Sequence, residues 1–373
     1  MRLRSALGGS ALAFTAGFNV ANVGAVADRV AASYGIGLGV VGLFTTGLFV
    51  THAALQVPMG RLSDRFGARL VGALGLVIVA AASAGALGWK QAWFAIGMRV
   101  VAGVGTAAAF VAGAEYTRAT IGSAVAQGLY GAVSMAAGGL ALALVPLWDS
   151  WRAPFASAAA VAAAGVLLVA IAPRGPERPP PTRGLATVVD RRLLPLAGIH
   201  AASFGLSVIV GNWVVSLLHR AGGEPERVAG VAGGLVLFLG VISRPLGGRL
   251  LERPALIRLS FVASGVGVAV LAIAKPLPLA VAAAALVGLA AGIPFAPAFA
   301  GPQRLRPDAP AAAIGFVNMI AAATILVGTP LLGLTFSLPG DGRIGFLVVA
   351  CLCFATTLVD PSTGRAGTAD TGR

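Results

Sequence analysis

Charge is what this chain has least of. Asp, Glu, Lys and Arg together make up 11% of its 373 residues, against about a quarter in a soluble domain, so most of its surface cannot face water. Acids number only 13, and none falls in the middle of an apolar run: Asp28 and Glu115 lie near the ends of such runs, the others in turns, loops or tails. That argues against a buried carboxylate as a proton carrier. The three histidines, His52, His200 and His219, are scattered. With no nucleophile–base or metal-ligand spacing, the chain is expected to be no enzyme and to hold no metal or cofactor. The two cysteines, Cys351 and Cys353, share the last apolar run and read as packing residues rather than a disulfide.

What the chain does have is long apolar stretches, 57% hydrophobic residues overall. Runs long enough to cross a bilayer as helices are expected over 6–27, 38–59, 70–88, 92–113, 122–147 and 153–172. A second set covers 193–218, 229–250, 256–274, 277–297, 311–336 and 342–359. The fold class is therefore an all-α polytopic membrane protein with twelve transmembrane helices in two six-helix halves, 1–172 and 193–360. A proline-rich charged linker at 173–192 joins them, and a polar tail follows at 361–373. The first run lacks a small-residue cleavage site and reads as a retained helix rather than a signal peptide. The net charge of +14 is gathered mostly on one side of the expected spans. By the positive-inside rule that side is cytoplasmic and holds both termini, so the basic balance reports topology in a cell (inner or plasma) membrane rather than a nucleic-acid partner.

The two halves repeat. Gly60-Arg61-Leu62-Ser63-Asp64-Arg65-Phe66-Gly67-Ala68-Arg69 forms a charged turn between spans, and a degraded copy, Gly248-Arg249-Leu250-Leu251-Glu252-Arg253, stands 188 residues later. Tyr130 and Asn318 occupy nearly matching places in the fifth and eleventh spans. Internal repeats of this kind, with a substrate site at their interface, are a transporter plan.

On these residues the chain resembles the major facilitator superfamily. The match rests on Gly60, Leu62, Asp64, Arg65, Gly67 and Arg69 between the second and third spans, and on Arg99, Gly103 and Gly105 in the fourth. The resemblance implies secondary active transport of a small solute by alternating access, the halves rocking in the lipid bilayer. It gives the charged turn (Gly60, Asp64, Arg65, Gly67, Arg69) and its copy (Gly248, Glu252, Arg253) a gating role, and makes Arg99 a coupling or substrate-contact residue. The alternative for Arg99 is snorkelling to the outer interface near Trp93. Asp28 is the remaining candidate for proton coupling, which is otherwise expected to be weak or absent, with His52 and His200 as possible substitutes.

The stretch Phe238–Gly248 around Arg244 is similar to the eighth helix of nitrate/nitrite porters, where an arginine binds the anion. Gln56 stands where those porters carry a second arginine, and their glycine- and asparagine-rich signatures in the fifth and eleventh helices are not reproduced. The resemblance thus points to some small organic or inorganic monoanion rather than nitrate, held by Arg244. The alternative is that Arg244 snorkels or pairs with Glu252. Gln56, Tyr130, Asn318, Asn19 and Asn212 are further candidate substrate contacts, each also explicable as an interhelical hydrogen bond. A multidrug or metabolite efflux antiporter is the competing transport reading, weakened by Met135-Ala136 where a Gly-Pro pair is expected. A non-transporting membrane sensor would need a signalling domain that the linker and tail do not supply. The protein is expected to act as a monomer.

Overall fold

Without water, each backbone N–H and C=O must be satisfied inside its own segment, and runs of alanine, leucine and valine answer that by forming helices. The computed structural model describes residues 2–174, 190–247, 253–307 and 309–359. Its apolar helices are, in order, α1 (Leu3–Tyr34), α2 (Leu38–Ala54 and Gln56–Phe66), α3 (Ala68–Gly85), α4 (Ala92–Thr120), α5 (Val125–Leu147) and α6 (Ala153–Ala170). They continue as α7 (Arg191–Arg220), α8 (Glu226–Gly247), α9 (Pro254–Ile273), α10 (Leu277–Leu305), α11 (Pro310–Ser337) and α12 (Arg343–Thr356). Ten are long and apolar enough to span, and the bent α2 makes an eleventh. The twelfth has 14 residues, about 21 Å of helix, short of the ~30 Å hydrocarbon core. Against the expected twelve spans, the described residues thus give eleven of sufficient length and a twelfth, shorter apolar helix.

Burial sorts them into two layers. The apolar windows of α1 and α7 are 89% and 78% buried, against 39% for α3 and α6. The outer helices expose Leu74, Val77, Leu167 and Leu259, side chains suited to lipid.

The charged segment expected as a turn is mostly helix. Residues Gln56–Phe66 are helical, and the chain leaves that conformation at Gly67, with φ +90°. Nothing from Arg61 to Phe66 favours leaving a helix, whereas Gly67 takes the positive φ at no steric cost. The expected fourth span also runs on, to Thr120.

Breaks occur instead inside the spans. α2 bends by 50° at Leu55, four residues after Thr51 and three before Pro58, whose ring conflicts with the carbonyl of Ala54. α8 is interrupted at Leu239, ahead of Pro245. α10 is interrupted at Ile293–Pro294. α7 widens into a π-turn over Ala201–Gly205.

Close approach depends on glycine. A Cβ on Gly75 would meet Gly105 O at 2.6 Å and Ala108 Cβ at 2.9 Å, so α3 and α4 touch backbone to backbone. Gly75→Val is expected to force these helices apart and cost about 1–3 kcal/mol, read as a lowered Tm of the detergent-purified protein relative to Gly97→Val, where a Cβ meets nothing within 4 Å.

Candidate functional site

The first six and last six helices meet along the whole depth of the bundle. For orientation, the face carrying the start of α1 is called the terminal face.

At the face opposite it, charge joins them. Asp28 of α1 accepts from Arg220 Nε at 2.6 Å and from Ser216 Oγ at 2.6 Å, both on α7. Arg29 pairs with Glu226 of α8 at 2.5 Å and with Asp149, between α5 and α6, at 3.2 Å. It also donates to the Trp148 carbonyl. Arg227 adds a second bond to Asp149 at 2.9 Å. Asp28, the candidate for proton coupling, is therefore placed in an ion-pair cluster at the end of the bundle. Behind this cluster a cavity of about 620 Å³ is lined by Leu38, Leu43, Pro330, Leu334 and Phe336, with Arg220 as its charged residue.

At the terminal face, glycines bring backbones of the two halves together. A Cβ on Gly60 would sit 3.0 Å from the backbone of Ala311 and Ala312 on α11, and one on Gly315 would sit 2.6 Å from the Gln56 carbonyl. On the other seam, Gly128 of α5 packs against the Arg244 carbonyl and Pro245 of α8. Of the candidate gating residues, Gly60 thus lies directly on the α2–α11 seam, while Arg65 is exposed over the Phe66 ring. Arg69 donates to the carbonyls of Val169 and Ala170 at 3.1 and 2.5 Å. It therefore caps the C-terminus of α6, where a cation satisfies unpaired carbonyls and the helix dipole. Arg253 is exposed ahead of α9. Gly248 and Glu252 lie outside the described residues.

Between the two faces the polar residues separate into two groups. The first ties helices within the first half. Arg99 is 2% exposed, which rules out snorkelling to an interface. It donates to Asn19 O at 2.5 Å, Asn19 Oδ1 at 3.4 Å and Phe44 O at 3.3 Å. It clamps α4 to α1 and α2, and Asn19 is spent on the same clamp. Tyr130 Oη donates to Phe110 O at 2.6 Å, fastening α5 to α4.

The second group crosses between halves. Thr45 of α2 donates to Asn212 of α7 at 3.0 Å, and Thr46 donates to Leu326 O of α11 at 3.1 Å. About two turns deeper, Asn318 of α11 bridges two histidines. His200 Nε2 is 3.0 Å from Asn318 Oδ1, and Asn318 Nδ2 is 3.4 Å from His52 Nε2. His52 Nδ1 reaches Thr106 Oγ1 at 2.9 Å.

Beside this bridge lies Arg244, 1% exposed, so it snorkels to neither face. Its guanidinium stacks 3.8 Å from the Phe295 ring centroid, with Phe204 at 5.9 Å. Nη1 donates to Gly131 O at 2.9 Å. Nε has no hydrogen-bond partner among the described residues, and neither do the two amide atoms of the fully buried Gln56. Phe204, Phe295, Phe299 and His200 form one aromatic cluster, with Phe110 attached through Phe204 and Phe299. Gly131 makes room for it, since a Cβ there would overlap the Phe295 ring.

The helix breaks coincide with this centre: Leu55 follows His52, the π-turn follows His200, Leu239 precedes Arg244, and Pro294 precedes Phe295. A buried cation with an open Nε, at interrupted helices between two halves, has the chemistry to pair with an anion. The histidines were underrated in sequence because each was judged singly, while their shared partner is 118 and 266 residues away. The available signal was that His52, His200 and Asn318 all fall inside spans.

The chain matches the family model described as Major Facilitator Superfamily over residues 9–329. Among solved structures it is similar to the human organic anion transporter MFSD10 (TETRAN), at 16% identity and a TM-score of 0.66, covering 95% of this chain and 97% of that one. It is also similar to the proton:xylose symporter XylE, at 14% identity and a TM-score of 0.71 (95% and 94% covered), and to the nucleoside transporter NupG, at 14% identity and a TM-score of 0.73 (95% and 98% covered). At such identities the likeness is one of fold. No curated protein sequence matches the chain.

The ion pairs opposite the terminal face should hold that end shut. In a background with Cys351 and Cys353 replaced by Ser, a cysteine at Leu43, which lines the adjacent cavity, is expected to react faster with a polar maleimide when Asp28→Asn and Glu226→Gln are introduced together. Unchanged labelling would show that the ion pairs do not hold that end closed.

Proposed function

Because this chain belongs to the major facilitator superfamily, a family of multi-pass membrane proteins, and its centre presents an uncompensated cation, we propose that it transports a small monoanion by secondary active, alternating-access movement. The single observation that carries the reading is Arg244. A guanidinium in a membrane interior normally finds a carboxylate or lines water. Here it is fully buried, rests on two aromatic faces, and keeps Nε without a partner among the described residues. Leaving such a donor unmet costs roughly 1–3 kcal/mol, a cost an anion accepting from Nε and Nη would remove. A planar carboxylate or oxoanion suits the fork geometry of the group.

The moving bodies in this reading are residues 1–172 and 193–360, joined by the linker at 173–192. The closed state has both seams in contact, with the ion-pair cluster at one face and glycine contacts at the other. Opening at the terminal face would part Gly60 from Ala311 and Gly128 from Pro245. Opening at the opposite face would break the Asp28–Arg220 and Arg29–Glu226 pairs. The arginine-rich face is assigned to the cytoplasm of a cell membrane, with both termini there.

The test is a thermal-shift series on the purified protein with benzoate, lactate, formate and nitrate, and with choline and glucose as non-anionic controls. At 100 times Kd, an anion bound only by the folded protein stabilises by about 2.7 kcal/mol. That stabilisation should disappear in Arg244→Gln and be reduced in Arg244→Lys, which keeps the charge and loses the fork. Uptake of the stabilising anion into proteoliposomes should fail in Arg244→Gln while membrane insertion persists. Stabilisation by choline or glucose and by no anion would sink the monoanion reading.

A further inference from the structure

Beside the fixed charge of Arg244, the centre holds one group able to gain a charge without breaking its own bonds. With the Asn318 amide oriented as it stands in the structure, the partners around the two histidines are met by one direction of the hydrogen-bond chain. Asn318 has one acceptor and one donor end. Its Oδ1 faces His200 Nε2, which must therefore carry a proton, and its Nδ2 donates to His52 Nε2, which must be bare. His52 then carries its proton on Nδ1 and donates to Thr106, whose hydroxyl donates to Gly103 O at 3.1 Å.

The two histidines are not equivalent. A second proton on His52 would have to sit on Nε2, head-on against the Asn318 amide N–H. A second proton on His200 would sit on Nδ1, a buried atom with no hydrogen-bond partner among the described residues, and would leave the Nε2–H bond to Asn318 in place. The chain thus resists protonation at one end and accepts it at the other.

His200 also shares its surroundings with Arg244. Its ring stacks on Phe204 at 5.3 Å and 7° and meets Phe295 at 5.5 Å, the same two rings that carry the guanidinium. Both groups thus bear on the same pair of rings. The other titratable groups facing this region are His52, on the far side of Asn318, and Tyr130, whose hydroxyl is committed to Phe110 O. α10 contributes only Phe295 and Phe299 to the ring cluster. The sequences of α5, α7, α10 and α11 contain no Asp or Glu, and those of α1, α2, α4 and α8 carry theirs near the helix ends, at Asp28, Asp64, Glu115 and Glu226.

Resting on the reading of Arg244 as the anion site, we propose that His200 Nδ1 is a proton-binding site loaded together with the anion, making the carrier a proton–monoanion symporter. The proton comes from solvent and forms a new N–H at Nδ1. No other bond is made or broken. The coupling is electrostatic. The empty centre carries the single positive charge of Arg244. An anion alone cancels it, a proton alone doubles it, and the two together restore the charge of the empty centre. A bound anion removes the repulsion that opposes a second cation on the shared rings, so anion and proton each raise the affinity for the other by the same factor. The fully empty and fully loaded centres are then electrostatically alike, which is the condition for both to pass through the closed state seen here.

The chain has only three histidines, which permits a direct measurement. In 15N-histidine-labelled full-length protein, addition of benzoate or nitrate is expected to convert His200 to the doubly protonated ring at a pH where it is neutral without the anion. His52 should stay neutral, and His219, hydrogen-bonded to Glu224 O beyond the centre, serves as reference. Anion affinity should tighten by about tenfold for each pH unit lowered, across the range where one proton is taken up per anion. His200→Gln keeps a donor for Asn318 and should flatten that dependence, while His52→Gln should preserve it. If His200 stays neutral with the anion bound, or if the pH dependence survives in His200→Gln, the proton site is overturned while Arg244 keeps its role. A flat profile in His52→Gln instead would place the site on His52 and likewise overturn the assignment. Should no anion of the series bind, or should binding be unchanged in Arg244→Gln, the premise itself falls.

Discussion

A cation resting on aromatic faces in a bilayer interior sets the terms for the rest of this structure. Arg244 on Phe295 is satisfied enough for the bundle to close over it, since the ring's negative face offsets part of the desolvation. It is not satisfied as an ion pair would be. If a carboxylate stood beside it the centre would be neutral and inert. Phe204, Phe295 and Gly131 therefore do two things together: they let the guanidinium be buried and they leave its charge available.

Placing that stack requires broken helices. A continuous α8 or α10 would satisfy its own backbone throughout and offer the centre only side chains. Pro58, Pro245 and Pro294 interrupt three helices at this depth, and the π-turn after His200 interrupts a fourth. Each break redirects the following segment and frees backbone groups locally. The prolines thus act as positional markers: the residues just before or after them in α2, α8 and α10 are those that meet at the centre. Arg99 shows the contrast. It lies within the unbroken α4 and clamps neighbouring helices.

Much of this was legible in the sequence, and what was not has physical reasons. Hydropathy and the proline-rich linker reveal a polytopic bundle because lipid imposes one length rule on every span. Arg244 and Asn318 stand out as polar residues inside apolar runs. The helical character of Gly60–Phe66 was missed because charge in a short segment resembles a loop, although the residue that leaves the helix at no steric cost is Gly67. The capping of α6 by Arg69 depends on a carbonyl 100 residues away. The histidine bridge depends on partners on three helices, and the ion-pair cluster opposite the terminal face on Asp28, Arg220, Glu226 and Asp149 converging from four segments. Single-sequence reading identifies which residues are unusual, but not which unusual residues are neighbours.

The ion pairs opposite the terminal face have a directional consequence that glycine contacts do not share. Contacts such as Gly60 against Ala311 are short-range and uncharged, so dissolved salt leaves them nearly untouched. The Asp28–Arg220 and Arg29–Glu226 pairs are partly exposed and weaken as the Debye length shrinks from about 10 Å at 0.1 M to about 3 Å at 1 M. Ionic strength on the side of the membrane that this face meets is then felt directly by these pairs. In a carrier that rocks between two open states, the salt content of a single compartment would shift the resting orientation with no ligand bound.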